Sequence, residues 1–194
     1  MKRVYVEKKP EYALKAKHLK EELKRHLGIE GIENVRILSR YDIENISEKT
    51  YKESLNTVFC EPPLDECYEM EFPYNDNEIY FSSEYLAGQF DQRADSAIQC
   101  LKLINENEDP DVRTAFTYVI SGSISEDEVK KIKSYIINPV DSHETDEKSP
   151  KTLKQSLESP DDVETVYMTS AGDLKKIYQV SNTTVVKALN DLVA

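Results

Sequence analysis

GQFDQRADS, which runs from Gly88 to Ser96, is the stretch at which an extended segment turns sharply into a helix. Gly88 relieves the backbone at this turn. Asp91 stands where a helix N-cap belongs, because its carboxylate can accept the free N–H groups of the first turn. The stretch therefore has two interpretations, a well-capped, solvated turn or a recognition surface. The residues that would form such a surface are Gln89, Phe90, Asp91, Gln92 and Arg93.

Hydrophobic spacing on both sides of this stretch predicts alternating strands and helices. After it we expect a helix over 92–104, a strand over 112–120, a helix that begins with a Ser125/Glu128 capping box, and an extended arm after Asn138-Pro139. Before it we expect a half-buried strand over 35–43, whose inward face carries every second residue. The other predicted strands cover 4–7, 68–72 and 79–86, and the other helices cover 10–27, closed by Gly28, and 48–59, capped by Ser47.

This order of elements occurs twice, which indicates an internal repeat. Each unit reads strand, helix, strand, helix, strand, a split βαβ pattern of the ferredoxin-like kind. One unit of this size buries little core and leaves sheet edges open. We therefore predict an α+β fold in which two tandem ferredoxin-like repeats form an intramolecular pseudo-dimer. The matching positions, at offsets of 77, 78 and 76, are Val35-Arg36 with Val112-Arg113, Ile46-Ser47-Glu48 with Ile124-Ser125-Glu126, and Pro63-Leu64-Asp65 with Pro139-Val140-Asp141.

Composition limits the classes of function. The 194 residues are 39% hydrophobic and 32% charged, with a formal net charge of −12, although residues 1–27 are locally basic. An acidic chain is not expected to bind nucleic acid or an anionic membrane. No apolar run is long enough to span a bilayer, and the N-terminus lacks a signal-peptide pattern. We expect a soluble, cytoplasmic protein.

The cysteines and histidines do not form a metal-binding pattern. Metal sites need closely spaced ligands, and no such spacing relates the cysteines to His18, His26 or His143. Cys60 and Cys100 lie in apolar runs, so buried, reduced thiols are expected. A catalytic Cys–His pair is an alternative without positive support. The three cysteines are Cys60, Cys67 and Cys100.

Composition changes towards the C-terminus. Residues 142–163 are polar and contain Pro150 and Pro160, which is typical of a linker. Two short apolar-periodic pieces follow, and they predict helices that have no core of their own. The expected organisation is a first repeat over 1–74, a second over 75–146, a linker over 147–163, and the start of a helical linker domain over 164–194, cut within that domain.

Five stretches resemble the N-terminal region of large, single-chain phosphoribosylformylglycinamidine synthases. Ala87 departs from the pattern, because the family usually has Pro before the glycine, and the part after Val163 matches only weakly. The match covers residues 1 to about 150. The five stretches are VYVEKKP near the start, GIENVRILSRYD at 31–42, VFCEPPLDECYE at 58–69, EYLAGQFDQRADSAIQC at 84–100 and YIINPVDS at 135–142.

The resemblance implies a part of a glutamine- and ATP-dependent ligase of purine biosynthesis. In that family the N-terminal domain is similar to two fused copies of a small subunit, and the catalytic domains come later in the chain. The chain would then hold no catalytic residue, metal or cofactor of its own, while ATP and Mg²⁺ belong to the parent enzyme. Its implied partners are the synthetase and glutaminase domains of the same polypeptide. The isolated piece could also form a homodimer.

Within this interpretation, residues 89–93 are a docking face for the synthetase domain. Phe90 would be the apolar anchor and Arg93 a charge-assisted donor. In the simpler alternative, Arg93 pairs with Asp91 or Asp95 on its own turn, which would contribute under about 1 kcal/mol. Two other classes of function stay open, a regulatory module that binds a small molecule between tandem units, and a stand-alone interaction protein. An isolated enzyme is the least favoured class.

Overall fold

The computed structural model describes residues 1–148 and 152–153. The fold is α+β, with four α-helices and a six-stranded antiparallel sheet. It is compatible with a ferredoxin-like fold. The elements are β1 (Lys2–Lys8), α1 (Leu14–Leu27), β2 (Ile32–Glu44), α2 (Glu48–Ser54), a π-helical turn (Leu55–Phe59), β3 (Asp65–Glu69), β4 (Glu78–Tyr85), α3 (Gln92–Ile104), β5 (Asp111–Gly122), α4 (Glu126–Ile136) and β6 (Ser142–Thr145).

The strands lie in the order β3-β1-β2-β5-β4-β6, so the two longest strands are at the centre. In the β2–β5 pairing, Val35 lies opposite Ile120 and Ile43 lies opposite Val112. The turns at one end of these strands approach closely. A Cβ atom built on Gly31 would lie 2.1 Å from the carbonyl oxygen of Ser123, so this position needs glycine.

All four helices cover one face of the sheet and bury two apolar clusters against it. One cluster lies beneath α2 and α3 and includes Val4, Ile43 and Leu101. The other lies beneath α1 and α4 and includes Leu23 and Ile132. Each fully buried aliphatic side chain contributes roughly 1.5–3 kcal/mol of transfer free energy, so these clusters hold the helices on the sheet.

Helix boundaries follow local chemistry that the sequence shows. The predicted capping box forms, with the Ser125 hydroxyl and the Glu128 carboxylate each bonded to the other's backbone N–H. Gly28 ends α1 in the left-handed conformation at φ 68°, and Ser47 accepts the N–H of Thr50 at 3.2 Å. The helix predicted over 10–27 begins only at Leu14, because residues 10–12 form a turn.

Three sequence predictions need correction. The strand predicted over 68–72 lies at Asp65–Glu69, because Met70 adopts a positive φ of 65° and ends it. The helix predicted over 48–59 is α-helical only to Ser54 and finishes as a π-helical turn. The strand predicted to be half-buried is buried on both faces, since Leu38, Arg40 and Asp42 point away from the helices and are at most 2% exposed.

The prediction of buried, reduced thiols is only partly right, because Cys60 is buried but oxidised and Cys100 is reduced but exposed. Cys60 and Cys67 form a disulfide that joins the end of the π-helical turn to β3. Cys60 is buried as expected, but not as a thiol. Cys100 lies on the exposed side of α3, because the apolar run around it is a helix with only one buried face. The predicted linker over 147–163 falls mostly outside the described residues, and the helical segment over 164–194 falls wholly outside them.

Candidate functional site

Backbone hydrogen bonds hold the first half of the loop between β4 and α3. Leu86 donates its N–H to the carbonyl of Asp141 at 2.9 Å, and Gln89 donates to the carbonyl of Leu86 at 3.0 Å. Gly88 adopts a φ of 89°, a conformation that side chains with a Cβ rarely adopt. The backbone of the predicted recognition stretch therefore has a fixed course into α3.

Asp91 caps α3, as the sequence predicts, and also joins the helix to the central sheet. Its Oδ1 accepts the N–H of Ala94 at 2.9 Å. Its Oδ2 accepts the N–H of Thr114 at 3.0 Å, and the Thr114 hydroxyl donates to the same carboxylate at 2.9 Å. Because Thr114 is buried on β5, this carboxylate fixes the helix start against a strand. Asp91 therefore has a structural role at the site.

Arg93 reaches across the sheet and does not pair with the acidic residues of its own turn. Its Nη1 donates to the Ser39 hydroxyl at 3.1 Å, and its guanidinium carbon lies 4.2 Å from the centre of the Phe116 ring. Such stacking is a cation–π contact. Within residues 1–148 and 152–153, no carboxylate oxygen lies within 4 Å of the guanidinium, so its charge is available to a partner or ligand.

The other three predicted residues point outwards. Phe90 is 72% exposed, and Gln89 and Gln92 are also exposed. The structure thus divides the predicted set in two. Asp91 and Arg93 are partly buried and bonded to the sheet, whereas Gln89, Phe90 and Gln92 form the exposed surface above them.

Two clefts on the helix-covered face meet at Arg93 and Phe116. The larger has a volume of about 540 Å³ and lies between α3 and the end of α4, where Tyr85 and Asn138 also line it. The smaller has a volume of about 350 Å³ and lies beside the start of α1, where Leu14 lines it. Arg93 is thus placed to reach the contents of either cleft.

Phenol groups near Arg93 stay protonated at neutral pH. Burial raises the pKa of Tyr118 to about 12, although the charge of Arg93 partly opposes this effect. Burial likewise raises the pKa of Tyr41, again with Arg93 in opposition. Tyr118 in the larger cleft and Tyr41 in the smaller one therefore supply no negative charge, whereas Glu84, Asp91 and Asp141 line the larger cleft with carboxylates.

Sequence reasoning missed the three residues that fix this site on the sheet, Ser39, Thr114 and Phe116. Each lies on a strand far along the chain from the loop, so sequence proximity carries no sign of the contact. The available signal was the inward-facing position of Thr114 and Phe116 on the predicted strand over 112–120. A polar residue at an inward-facing position needs a buried partner.

Within residues 1–148 and 152–153 there is no group of three or more His, Cys, Asp or Glu side chains arranged to hold a metal ion. No helix in the same part of the chain is long and apolar enough to cross a membrane. Asp91 already accepts hydrogen bonds from Ala94 and Thr114.

No protein-family model matches this chain, and no curated protein matches it. The motifs quoted above therefore stand as a resemblance. Any functional conclusion rests on those motifs together with the geometry of the loop, the clefts and the sheet.

Proposed function

We propose that residues 1–146 are the non-catalytic interaction domain of a phosphoribosylformylglycinamidine synthase. In this proposal the domain docks against the synthetase and glutaminase domains of the same polypeptide. The parent reaction converts formylglycinamide ribonucleotide to formylglycinamidine ribonucleotide, with ATP, Mg²⁺ and glutamine-derived ammonia. Five motif stretches in the expected order support the proposal.

The observation that carries the docking role is the exposure of Phe90 on a fixed backbone. Because 72% of the Phe90 side chain lies in water, a partner that covers it would gain the free energy of burying an aromatic ring. Because Gly88 and the Asp91–Thr114 bonds already fix this loop, docking costs little conformational entropy. Arg93 lies three residues along and can pair with a partner carboxylate or with a substrate phosphate.

We further propose that the domain is an intramolecular pseudo-dimer of two repeats, 1–74 and 75–146. The strand order supports this idea, because β3-β1-β2 read from one edge matches β6-β4-β5 read from the other. The ion pair between Arg36 and Glu7 has its counterpart in the one between Arg113 and Glu84.

A docking role matches the demands of the proposed chemistry. Free ammonia and an activated intermediate must both be kept from water, so the domains that make and use them need a fixed alignment. A domain that contacts both can supply this alignment without touching the reacting atoms. The proposal therefore assigns the 88–96 stretch to recognition and assigns no catalytic residue to this chain.

The test is turnover by the full-length enzyme that carries Phe90→Ala or Arg93→Ala. We expect each change to lower ammonia-coupled turnover by tenfold or more, the loss typical of a central interface residue. The matched control is Leu103→Ala, because Leu103 is a still more exposed apolar residue, at 87%, on the far end of α3. Turnover equal to that of the control would refute the docking role.

A second candidate is a regulatory module that binds a small molecule, and the paired clefts favour it. The residues that line the two clefts correspond at the offset of 77. Four such pairs are Val6 and Ser83, Ala16 and Arg93, Ser39 and Phe116, and Tyr41 and Tyr118. In this candidate, the larger cleft would hold an anionic ligand on Arg93.

This candidate is tested by melting the 194-residue chain with ATP or with glutamine. A bound ligand raises the melting temperature as its free concentration rises. A rise that Arg93→Ala abolishes would favour the regulatory function. If neither compound raises the melting temperature at millimolar concentrations, the regulatory candidate is refuted and docking remains the proposed function of the cleft surface.

A further inference from the structure

The sheet face opposite the helices carries two arginines that share one aspartate. Arg3 lies on β1, and Arg40 and Asp42 lie on β2, and the three side chains are each only 2% exposed. Arg3 Nε lies 2.5 Å from Asp42 Oδ1, and Arg40 Nε lies 3.2 Å from Asp42 Oδ2. A buried charge is costly unless it is paired. The three side chains together therefore carry a net charge of +1.

The carboxylate of Glu147 lies over these arginines. Its Oε2 is 3.4 Å from Arg40 Nη1 and 3.8 Å from Arg3 Nη1, and it accepts the Tyr5 hydroxyl. Its Oε1 accepts the hydroxyl of Ser82 on β4. One carboxylate oxygen thus faces the arginines and a phenol, and the other faces a strand hydroxyl. Both oxygens of the carboxylate therefore have donors on the sheet.

Two backbone carbonyls of the same segment also accept hydrogen bonds from the arginines on this face. Arg3 Nη1 donates to the carbonyl of Glu147 at 2.5 Å, and Arg40 Nη1 donates to the carbonyl of Asp146 at 3.1 Å. Burial and the hydrogen bond to Glu147 raise the pKa of Tyr5, so its hydroxyl keeps the proton that it donates. The donors belong to β1, β2 and β4, whereas the acceptor lies just beyond β6 at the end of the domain.

Glu84 is the other carboxylate that contacts Arg40. Its carboxylate is 3.5 Å from Arg40 Nη2, 3.5 Å from Arg113 Nη1 and 3.3 Å from His143 Nε2. Arg113 already neutralises the negative charge of Glu84. Glu84 therefore does not neutralise the excess positive charge of Arg3 and Arg40. Without the Glu147 carboxylate, the cluster would keep a net positive charge, and the buried Tyr5 hydroxyl would lose its acceptor.

We propose that Arg3, Arg40, Tyr5 and Ser82 form a carboxylate-binding site, and that Glu147 of the same chain is its displaceable occupant. The site belongs to the sheet, because its donors come from three strands that are fixed by their own pairing. The occupant belongs to the segment that follows β6 and is 21% exposed in its side chain. A small free carboxylate enters when the 146–148 segment withdraws. This inference is independent of the proposed function, since residues 89–93 are not part of the site.

The experiment is chemical rescue of a Glu147→Ala variant of the 194-residue chain. Removal of the carboxylate leaves the buried Tyr5 hydroxyl without its acceptor and the two arginines with one negative charge fewer, so we expect the melting temperature to fall by about 5 °C. Sodium acetate should then restore stability along a saturating curve, with sodium chloride at equal ionic strength as the reference. A dissociation constant of about 10 mM would shift the folding equilibrium about elevenfold at 0.1 M acetate.

Two variants separate a binding site from a general salt effect. Glu147→Gln fills the space with a neutral group, so acetate should not rescue it. Glu144→Ala removes a nearby, more exposed carboxylate that pairs with Lys133, and acetate should not affect it either. If Glu147→Ala does not fold in chloride, the measured quantity is refolding yield in acetate against chloride.

The remaining outcomes overturn the proposal. Equal effects of acetate and chloride on Glu147→Ala, in melting temperature or in refolding yield, would show that the face does not bind carboxylates. Rescue by sulfate that exceeds rescue by acetate would replace the carboxylate class with a tetrahedral anion. An unchanged melting temperature in Glu147→Ala would show that the arginines do not need this occupant.

Discussion

Asp91→Ala is the substitution that tests how the recognition loop is held. Asp91 accepts three donors, the N–H of Ala94 at the start of α3 and the N–H and hydroxyl of Thr114 on β5. The change removes the helix cap and leaves two polar groups of a buried threonine without their acceptor. The loss should therefore exceed that of a simple exposed cap.

The size of this loss follows from the two kinds of bond. Loss of an N-cap typically costs about 1 kcal/mol. Hydrogen bonds to a charged group contribute about 1.5–3 kcal/mol each, and a buried group that loses its partner pays its desolvation. Since water can reach part of the vacated space, we expect a total of about 3 kcal/mol. That is a large fraction of the roughly 5–15 kcal/mol that stabilises an ordinary domain.

The assay is urea denaturation followed by far-ultraviolet circular dichroism, with the slope of the transition checked for constancy. The matched control is Asp95→Ala, one turn further along, where the carboxylate accepts only the exposed Gln99 amide. We expect the control to lose under about 1 kcal/mol. If Asp91→Ala costs no more than Asp95→Ala, the carboxylate does not hold the helix on the sheet.

Two other predictions concern the sheet. The pKa of Tyr118 is raised to about 12 from an ordinary 10, so this group contributes stability below pH 10 that is lost as the pH rises towards 12. In Tyr118→Phe, the unfolding free energy should therefore fall less steeply with pH in this window. An identical slope in the two proteins would contradict the assignment. Gly31→Ala places a Cβ against the Ser123 carbonyl and should cost about 2–3 kcal/mol in urea denaturation. Gly28→Ala, which meets no atom within 4 Å, should cost only about 1 kcal/mol from its left-handed backbone, and equal losses would remove the steric argument.

Helix α3 shows what local sequence can predict. Its bounds, Gln92–Ile104, are those that the apolar spacing and Asp91 indicate, because both the cap and the buried stripe are encoded within one short stretch. The capping box at Ser125 is local in the same way. Where a boundary depends on a few consecutive side chains, the sequence predicts it.

Strand β3 and the start of α1 show where local reasoning stops. Alternation at 68–72 predicts a strand there, yet pairing with β1 selects Asp65–Glu69. The register of an edge strand depends on its partner, and its own pattern fits more than one register. Tyr12 fits the apolar stripe of α1 but lies in the preceding turn and is 50% exposed.

The charged face of the sheet could not be predicted from local pattern. Arg40 and Asp42 occupy the polar positions of an alternating strand, which normally indicates a solvated face. Their burial depends on Arg3, nearly forty residues earlier, and on Glu147, more than a hundred residues later. For the same reason, the contact of Arg93 with Ser39 and Phe116 could not be inferred from the 88–96 stretch.

The docking proposal is tested most directly by the affinity of the 194-residue chain for the rest of the full-length ligase, expressed without this domain. Isothermal titration should give a dissociation constant that Phe90→Ala weakens at least tenfold, about 1.4 kcal/mol, while Leu103→Ala leaves it unchanged. No measurable binding, or equal binding by the two variants, would contradict the assignment of residues 89–93 to a docking surface.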